Sequence, residues 1–297
     1  MLIKQICCFS DEILPSFNKN WIYLATVAVE KEYLERVENC LLNARFCAGE
    51  HELGNTDADW KDVEEDKYYS KNNSTVKFNE LNSADKFFIA KRWLKLIENT
   101  NFLGKTLKIK ISGLNLNKLE KENFGNKSGR ETLMYSYFME RHLKSICSYF
   151  FNKNSDHKVN FWHDRGKQEK NVENRLKSLK KLEMEKVKFI DDNHRNFSKK
   201  SEEFTAANMI QLADILAGTA MNSFSNENKG EKRNKLLDIG VELIKEGLDT
   251  NYNRSDRKIS VSFFPDKEWK GEDNLYEFHQ DREIRRTKSD QRTLKNF

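Results

Sequence analysis

The chain has 297 residues, 37% of them hydrophobic, which is enough to build the core of one large domain or two small ones. Lys+Arg 52 against Asp+Glu 47 leaves a formal charge of only +5, so nucleic acid is a permitted partner, but binding by bulk charge alone is excluded. Two prolines and 12 glycines exclude a linker-rich or low-complexity chain.

Residues 2–9, LIKQICCF, form a short apolar run closed by Ser10 and Asp11, and residues 21–29, WIYLATVAV, form a longer one rich in β-formers, with a turn expected over 15–20. Two neighbouring strands that are apolar throughout belong in the middle of a sheet covered on both faces, which predicts an α/β fold. A helix over 30–45 follows, with Leu34, Val37 and Leu41 on one face. Residues 51–82 are polar and strongly charged, and read as an insertion near one end of the sheet. Ser83 is placed to cap a second helix carrying Phe87, Ala90, Leu94 and Ile97.

TLKIKI, 106–111, alternates apolar and polar residues and predicts an edge strand with one exposed face. Then come a long helix over 131–151, the strand KVNFW at 158–162, a charged helix over 167–181 and the strand VKFI at 187–190. Strand, helix, strand in succession predicts parallel crossovers. An apolar helix over 206–224 and a last one carrying Leu237, Val241, Ile244 and Leu248 lead into the alternating strand ISVSFF, 259–264. The expected organisation is one domain over 1–264, with the 51–82 insertion, and a charged tail over 265–297 that is mobile or partner-dependent.

Cys7, Cys8, Cys40, Cys47 and Cys147 contain no CxxC pair and read mostly as buried thiols. The apolar stretch near Met1 is too short for a signal peptide, and no run of about 18 apolar residues offers a membrane span, so a cytoplasmic protein is expected.

The informative residues are acidic. Asp11 and Asp164 each stand where a central strand ends, the place at which α/β sheets collect ligands, although solvated carboxylates at strand ends are the ordinary alternative. On the helix over 206–224, Asn208, Gln211, Asp214, Gly218 and Asn222 follow one another in steps of three and four, a polar or small stripe on an apolar cylinder. Asp214 is the one charge in that stripe, and a buried carboxylate needs a cation or good donors. Glu50 and Glu52 open the charged insertion, and spacing does not choose between them. Such carboxylates suit hard cations, Mg²⁺ or Mn²⁺, and no GxSxG, P-loop, HExxH or dinucleotide fingerprint competes with that reading. The six histidines have no metal-ligand spacing, which disfavours zinc.

The motifs FSDE (9–12), HEL (51–53), NFWHDRG (160–166) and MIQLADILAG (209–218), in this order, resemble the RNase H-like family catalogued as domain of unknown function 3800. That resemblance implies an RNase H-like mixed sheet with helices on both faces. It also implies a carboxylate centre of Asp11, Glu52, Asp164 and Asp214 that holds metal and catalyses, with Glu50 as a substitute for Glu52. The sequence departs from the family in Ile13-Leu14-Pro15 after the first acidic pair, and in Gly54 where a lysine is usual.

The function this implies is metal-dependent hydrolysis of phosphodiester bonds in RNA or DNA. A basic helix with Lys167, Lys170, Arg175, Lys177, Lys180 and Lys181 is available for the backbone, unless Glu169, Glu173 and Glu183 make it an ordinary solvated face. The alternative is a nucleic-acid- or protein-binding effector module on a catalytically weakened scaffold. A protein partner or a homo-oligomer stays open. The Lys-, Asn- and Phe-rich composition fits an AT-rich bacterial genome and, by association, a prokaryotic defence context.

Overall fold

The two apolar runs near the start form β1 (Lys4–Ile13) and β2 (Trp21–Glu30), which pair antiparallel with Ile6 opposite Glu30 and Ile13 opposite Tyr23. The computed structural model describes residues 4–13, 21–46, 74–116, 130–151, 157–166, 169–179, 182–199, 201–224, 231–248 and 257–264. Glu50, Glu52, the turn over 15–20, Cys47 and the tail over 265–297 lie outside these residues.

Four more strands, β3 (Leu107–Asn115), β4 (His157–Asp164), β5 (Leu182–Ile190) and β6 (Ile259–Phe264), complete a six-stranded mixed sheet in the order β5-β4-β1-β2-β3-β6. Only β2 runs against its neighbours, so β5, β4 and β1 end at the same edge. The expected parallel crossover is present, with β4 and β5 joined through a helix.

The pleat sorts β1 into two cores. Cys7 and Phe9 join Ala25, Val27, Ile109 and Ile111 under α1 (Lys31–Phe46), α2 (Ala84–Asn99), α6 (Glu202–Phe224) and α7 (Glu231–Leu248). Ile6 and Cys8 join Leu24 and Ala28 against α4 (Arg130–Phe150) and α5 (Glu169–Lys177). A short helix, α3 (Asn101–Thr106), leads into β3. Burial on both faces is why β1 and β2 read as unbroken apolar runs. Ser83 takes the N-cap position of α2 with extended backbone, but its hydroxyl makes no capping bond. Among the described residues, no helix is long and apolar enough to cross a membrane.

Two expectations are corrected. β3 is not an edge strand with an exposed face, because β6 pairs along its outer side, with Ile109 opposite Ile259 and Gly113 opposite Phe263. Its alternating lysines are buried: Lys108 Nζ donates to the Arg257 carbonyl at 2.9 Å and Lys110 Nζ to Ser260 Oγ at 3.0 Å. Long aliphatic stems let a charged residue sit inside while its ammonium finds an acceptor, so alternation here does not mean exposure.

The second correction concerns 51–82. Residues 51–73 lie outside the description, but the end of the segment is part of the core, with Val76, Phe78 and Leu81 all buried against α6 and its neighbours. Three apolar side chains in a charged context are too few to give a periodic signal, yet the stripe on α6 receives them.

Gly218 of that stripe is where Phe78 lands; a Cβ there would lie 2.0 Å from Phe78 Cγ. Gly218→Ala is therefore expected to destabilise the fold by about 1–3 kcal/mol, the cost of forcing a methyl into a packed core. A urea midpoint unchanged from the wild-type protein would contradict this packing.

Candidate metal centre

β1 reaches past Ser10 and Asp11 to Ile13, so Asp11 lies inside the strand and is fixed by its pairing with Ala25. Residues 7, 9 and 11 share the face covered by α6, and Glu12 takes the other face. Ser10 pairs with His163 on β4, which places Asp164, the last residue of β4, beside Asp11. Asp164 is in turn paired with Ile190, the last residue of β5, and two residues later comes Asp192.

These three carboxylates converge. Asp11, Asp164 and Asp192 each offer one oxygen, and the three atoms lie within 4.8 Å of one another. Asp11 and Asp192 are buried and Asp164 half-buried. Asp192 Oδ1 accepts from Lys77 Nζ at 3.0 Å, while its Oδ2 is buried without a hydrogen-bond partner among the described residues. Asp11 Oδ1 accepts the Glu12 N–H at 2.7 Å and Asp164 Oδ1 the Arg165 N–H at 2.9 Å. Three converging carboxylates, one of them with a buried oxygen that has no donor, are an arrangement that could hold a metal ion.

Asp214 flanks this group without being one of its three members. Its Oδ2 accepts the Phe78 N–H at 2.5 Å, and its charge is felt by Asp11. The neighbouring stripe residues hold the surroundings in place. Gln211 Oε1 accepts from Val76 N–H at 2.9 Å and Arg45 at 3.0 Å, and its Nε2 donates to the Asp192 carbonyl at 2.6 Å. Asn208 Oδ1 accepts from Arg45 at 2.5 Å, and Arg45 also donates to the Ser74 carbonyl at 2.6 Å. The polar stripe is thus the seat for segment 74–78 and for the turn at Asp192, and Gln211 bonds backbone rather than acting in chemistry.

On the opposite face of the sheet, Glu12 Oε2 accepts from Tyr135 Oη at 2.8 Å and lies 3.0 Å from His163 Nε2. His163 Nδ1 donates to the Asp164 carbonyl at 2.7 Å. His163 Nε2 also lies 3.1 Å from Tyr135 Oη, so the ring sits among a carbonyl, a carboxylate and a phenol. Burial alone would lower the His163 value, but Glu12 outweighs it and raises it. His142 differs: burial drives it down to about 3, and it sits neutral between Thr26 Oγ1 at 2.9 Å and Ser112 Oγ at 2.8 Å.

Of the sequence-predicted ligands, Asp11 and Asp164 come together, Asp214 adjoins them, and Glu52 and Glu50 are outside the described residues. Asp192 and Lys77 are the residues that sequence reading missed. Asp192 was within reach of the same argument as Asp11 and Asp164, because an acidic pair, Asp191-Asp192, directly follows the strand VKFI. Lys77 carried no such signal. The basic helix contributes less free charge than its composition promises, since Arg175 pairs with Glu140 at 2.5 Å and Lys177 with Glu173 at 2.5 Å.

Comparison with known proteins finds no matching family model and no matching curated protein.

Crowding in a dry place raises the acids. Burial, then the charges of Asp214, Glu12 and Asp164, hold Asp11 well above its usual range. Burial first, and then its acidic neighbours, push Asp192 to about 6 and Asp214 to about 7, from 3.8. A folded-state value raised this way gives stability that is full below the unfolded value and is lost as pH rises through the folded one. Without metal, the melting temperature is expected to fall as pH rises from about 4, where these acids ionise in the unfolded chain, to just above about 7, where they have ionised in the folded one. A divalent cation at millimolar concentration should restore it, and more strongly at the higher pH. Asp11→Asn should raise the metal-free melting temperature by a few degrees, ~2–4 °C per kcal/mol in a domain this size, and remove most of the response to metal. Identical melting curves with and without Mn²⁺ at the higher pH would rule the centre out.

Proposed function

We propose that the protein is a divalent-metal-dependent nuclease that hydrolyses phosphodiester bonds of RNA or DNA, with Asp11, Asp164 and Asp192 holding Mg²⁺ or Mn²⁺ and Asp214 beside them. One observation carries the reading: three carboxylate oxygens from the ends of three parallel strands lie within 4.8 Å, and the buried Asp192 Oδ2 lacks a donor. The donor set fits the group, because it is all carboxylate oxygen, the chemistry hard cations select. Neither cysteine nor histidine is among the three. When bound, such a cation polarises a phosphoryl oxygen and lowers the pKa of water.

The remaining work falls to the chain itself. β1, β4 and β5 fix the three carboxylates at one edge of the sheet, where ligands of open α/β sheets bind. Asp214, held by the Phe78 N–H at 2.5 Å, adds a further carboxylate beside the three. His163 Nδ1 donates to the Asp164 carbonyl and its Nε2 meets Glu12, so the backbone that carries Asp164 is also held from the other face of the sheet. A mixed sheet covered on both faces, with acids at the ends of β1 and β4, supports the RNase H-like reading as well.

Glu52 and Glu50 remain candidates for a further ligand.

The test is incubation with labelled single-stranded RNA, single-stranded DNA, duplex DNA and RNA–DNA hybrid in Mg²⁺ or Mn²⁺, beside EDTA. Asp164→Asn should lower the cleavage rate by at least about 100-fold, beyond the 10- to 100-fold that outer-shell changes typically cost. Cleavage of a substrate that survives both EDTA and Asp164→Asn would overturn the assignment. Nucleic-acid binding without any cleavage, unaffected by the substitution, would favour the effector-module alternative.

A further inference from the structure

Lys77 occupies an unusual position for a residue of a charged segment. Its ammonium lies 3.0 Å from Asp192 Oδ1, with 41% of the lysine side chain exposed and 3% of the aspartate's. The charge therefore sits at the mouth of the acidic cluster while the carboxylate it meets is inside. Its backbone is held on both sides: Val76 N–H donates to Gln211 at 2.9 Å and Phe78 N–H to Asp214 at 2.5 Å. Both acceptors belong to α6, and Gln211 also accepts from the buried Arg45 and donates to the Asp192 carbonyl. One rigid helix thus fixes the base of the lysine and the turn bearing its partner.

Three clustered carboxylates need positive charge whether or not a metal ion is present. A divalent cation that draws on Asp192 competes with the ammonium for it. The lysine stem is flexible and its base is clamped, so a displaced ammonium stays within one side-chain length of the site. The group that brings negative charge to that mouth is a substrate phosphate, for which a lysine point charge is a suitable partner.

We propose that Lys77 is the resting counter-ion of the carboxylate cluster and that, once a divalent cation takes its place, the same ammonium contacts the substrate phosphate. This rests on the metal reading above and adds the residue that would touch the substrate.

The experiment has two readouts on wild-type protein, Lys77→Met and Lys77→Arg. Calorimetric titration with Mn²⁺ should show Lys77→Met binding the ion about 2- to 5-fold more tightly, the scale of a part-exposed ion pair no longer in competition. Fluorescence anisotropy with a labelled single-stranded RNA or DNA, whichever the wild-type protein binds better, in Ca²⁺, should show Lys77→Met weakened about 2- to 5-fold and Lys77→Arg largely restored. Melting curves identify a variant that has unfolded, and Lys77→Arg, which keeps the charge, then carries the comparison: its Mn²⁺ affinity should stay near wild type. No Mn²⁺ heat from wild-type protein overturns the metal reading and this role with it. Mn²⁺ binding that is equal or weaker in Lys77→Met, or oligonucleotide binding that does not change, overturns the role of Lys77 and leaves the metal reading standing.

Discussion

Mutual repulsion among carboxylates held in a mostly dry space is the constraint around which this protein is arranged. Asp11, Asp164 and Asp192 are within 4.8 Å of one another, with Asp214 at their side. At such a spacing in a medium of low polarity, like charges cannot all persist without compensation. The raised values of Asp192 and Asp214 are one compensation, proton uptake, and the ammonium of Lys77 is another. The backbone donors at Glu12, Arg165 and Phe78 supply a third. A divalent cation is a further compensation that such a cluster could hold.

The scaffold holds this tension by over-determining the carboxylates. Asp11 and Asp164 are in adjacent strands, whose pairing fixes their spacing, and Asp192 follows the next strand by two residues, its carbonyl held by Gln211 Nε2. The fourth is on a helix buried along nearly its whole length, so it has little freedom to turn away. Arg45, Asn208 and Gln211 form a polar seam beneath them that ties α1, α6, residue 74 and the Asp192 turn together. Such a network is worth its burial only when its members are well bonded, and Gln211 uses both ends of its amide.

Much of this was legible in the sequence, for physical reasons that can be named. Continuous apolar runs placed β1 and β2 at the centre, because only a sheet covered on both faces demands them. The three-and-four spacing of Asn208, Gln211, Asp214, Gly218 and Asn222 disclosed a working stripe on α6. Its purpose was not legible, since the partner segment at 74–78 has no periodicity and is recognised only by what it lands on. The buried lysines of β3 misled because a long stem separates where a residue's charge sits from where its backbone runs. Asp192 needed only the argument used for Asp11 and Asp164 to be applied to the acidic pair that follows the strand ending at Ile190. Lys77 could not be found this way, because nothing local distinguishes it from the lysines around it.

Asp11 and Glu12 are sequence neighbours with unrelated surroundings: one faces Asp164 and Asp192, the other a histidine and a tyrosine. What separates them is only the parity of their positions along β1. Removing or adding one residue between Ile6 and Ser10 would exchange the two compartments, sending a glutamate among the aspartates and an aspartate toward His163, and would turn the apolar residues of β1 over as well. Length in this strand is therefore held as tightly as residue identity. Among related chains, β1 should tolerate conservative replacement far more readily than any insertion or deletion.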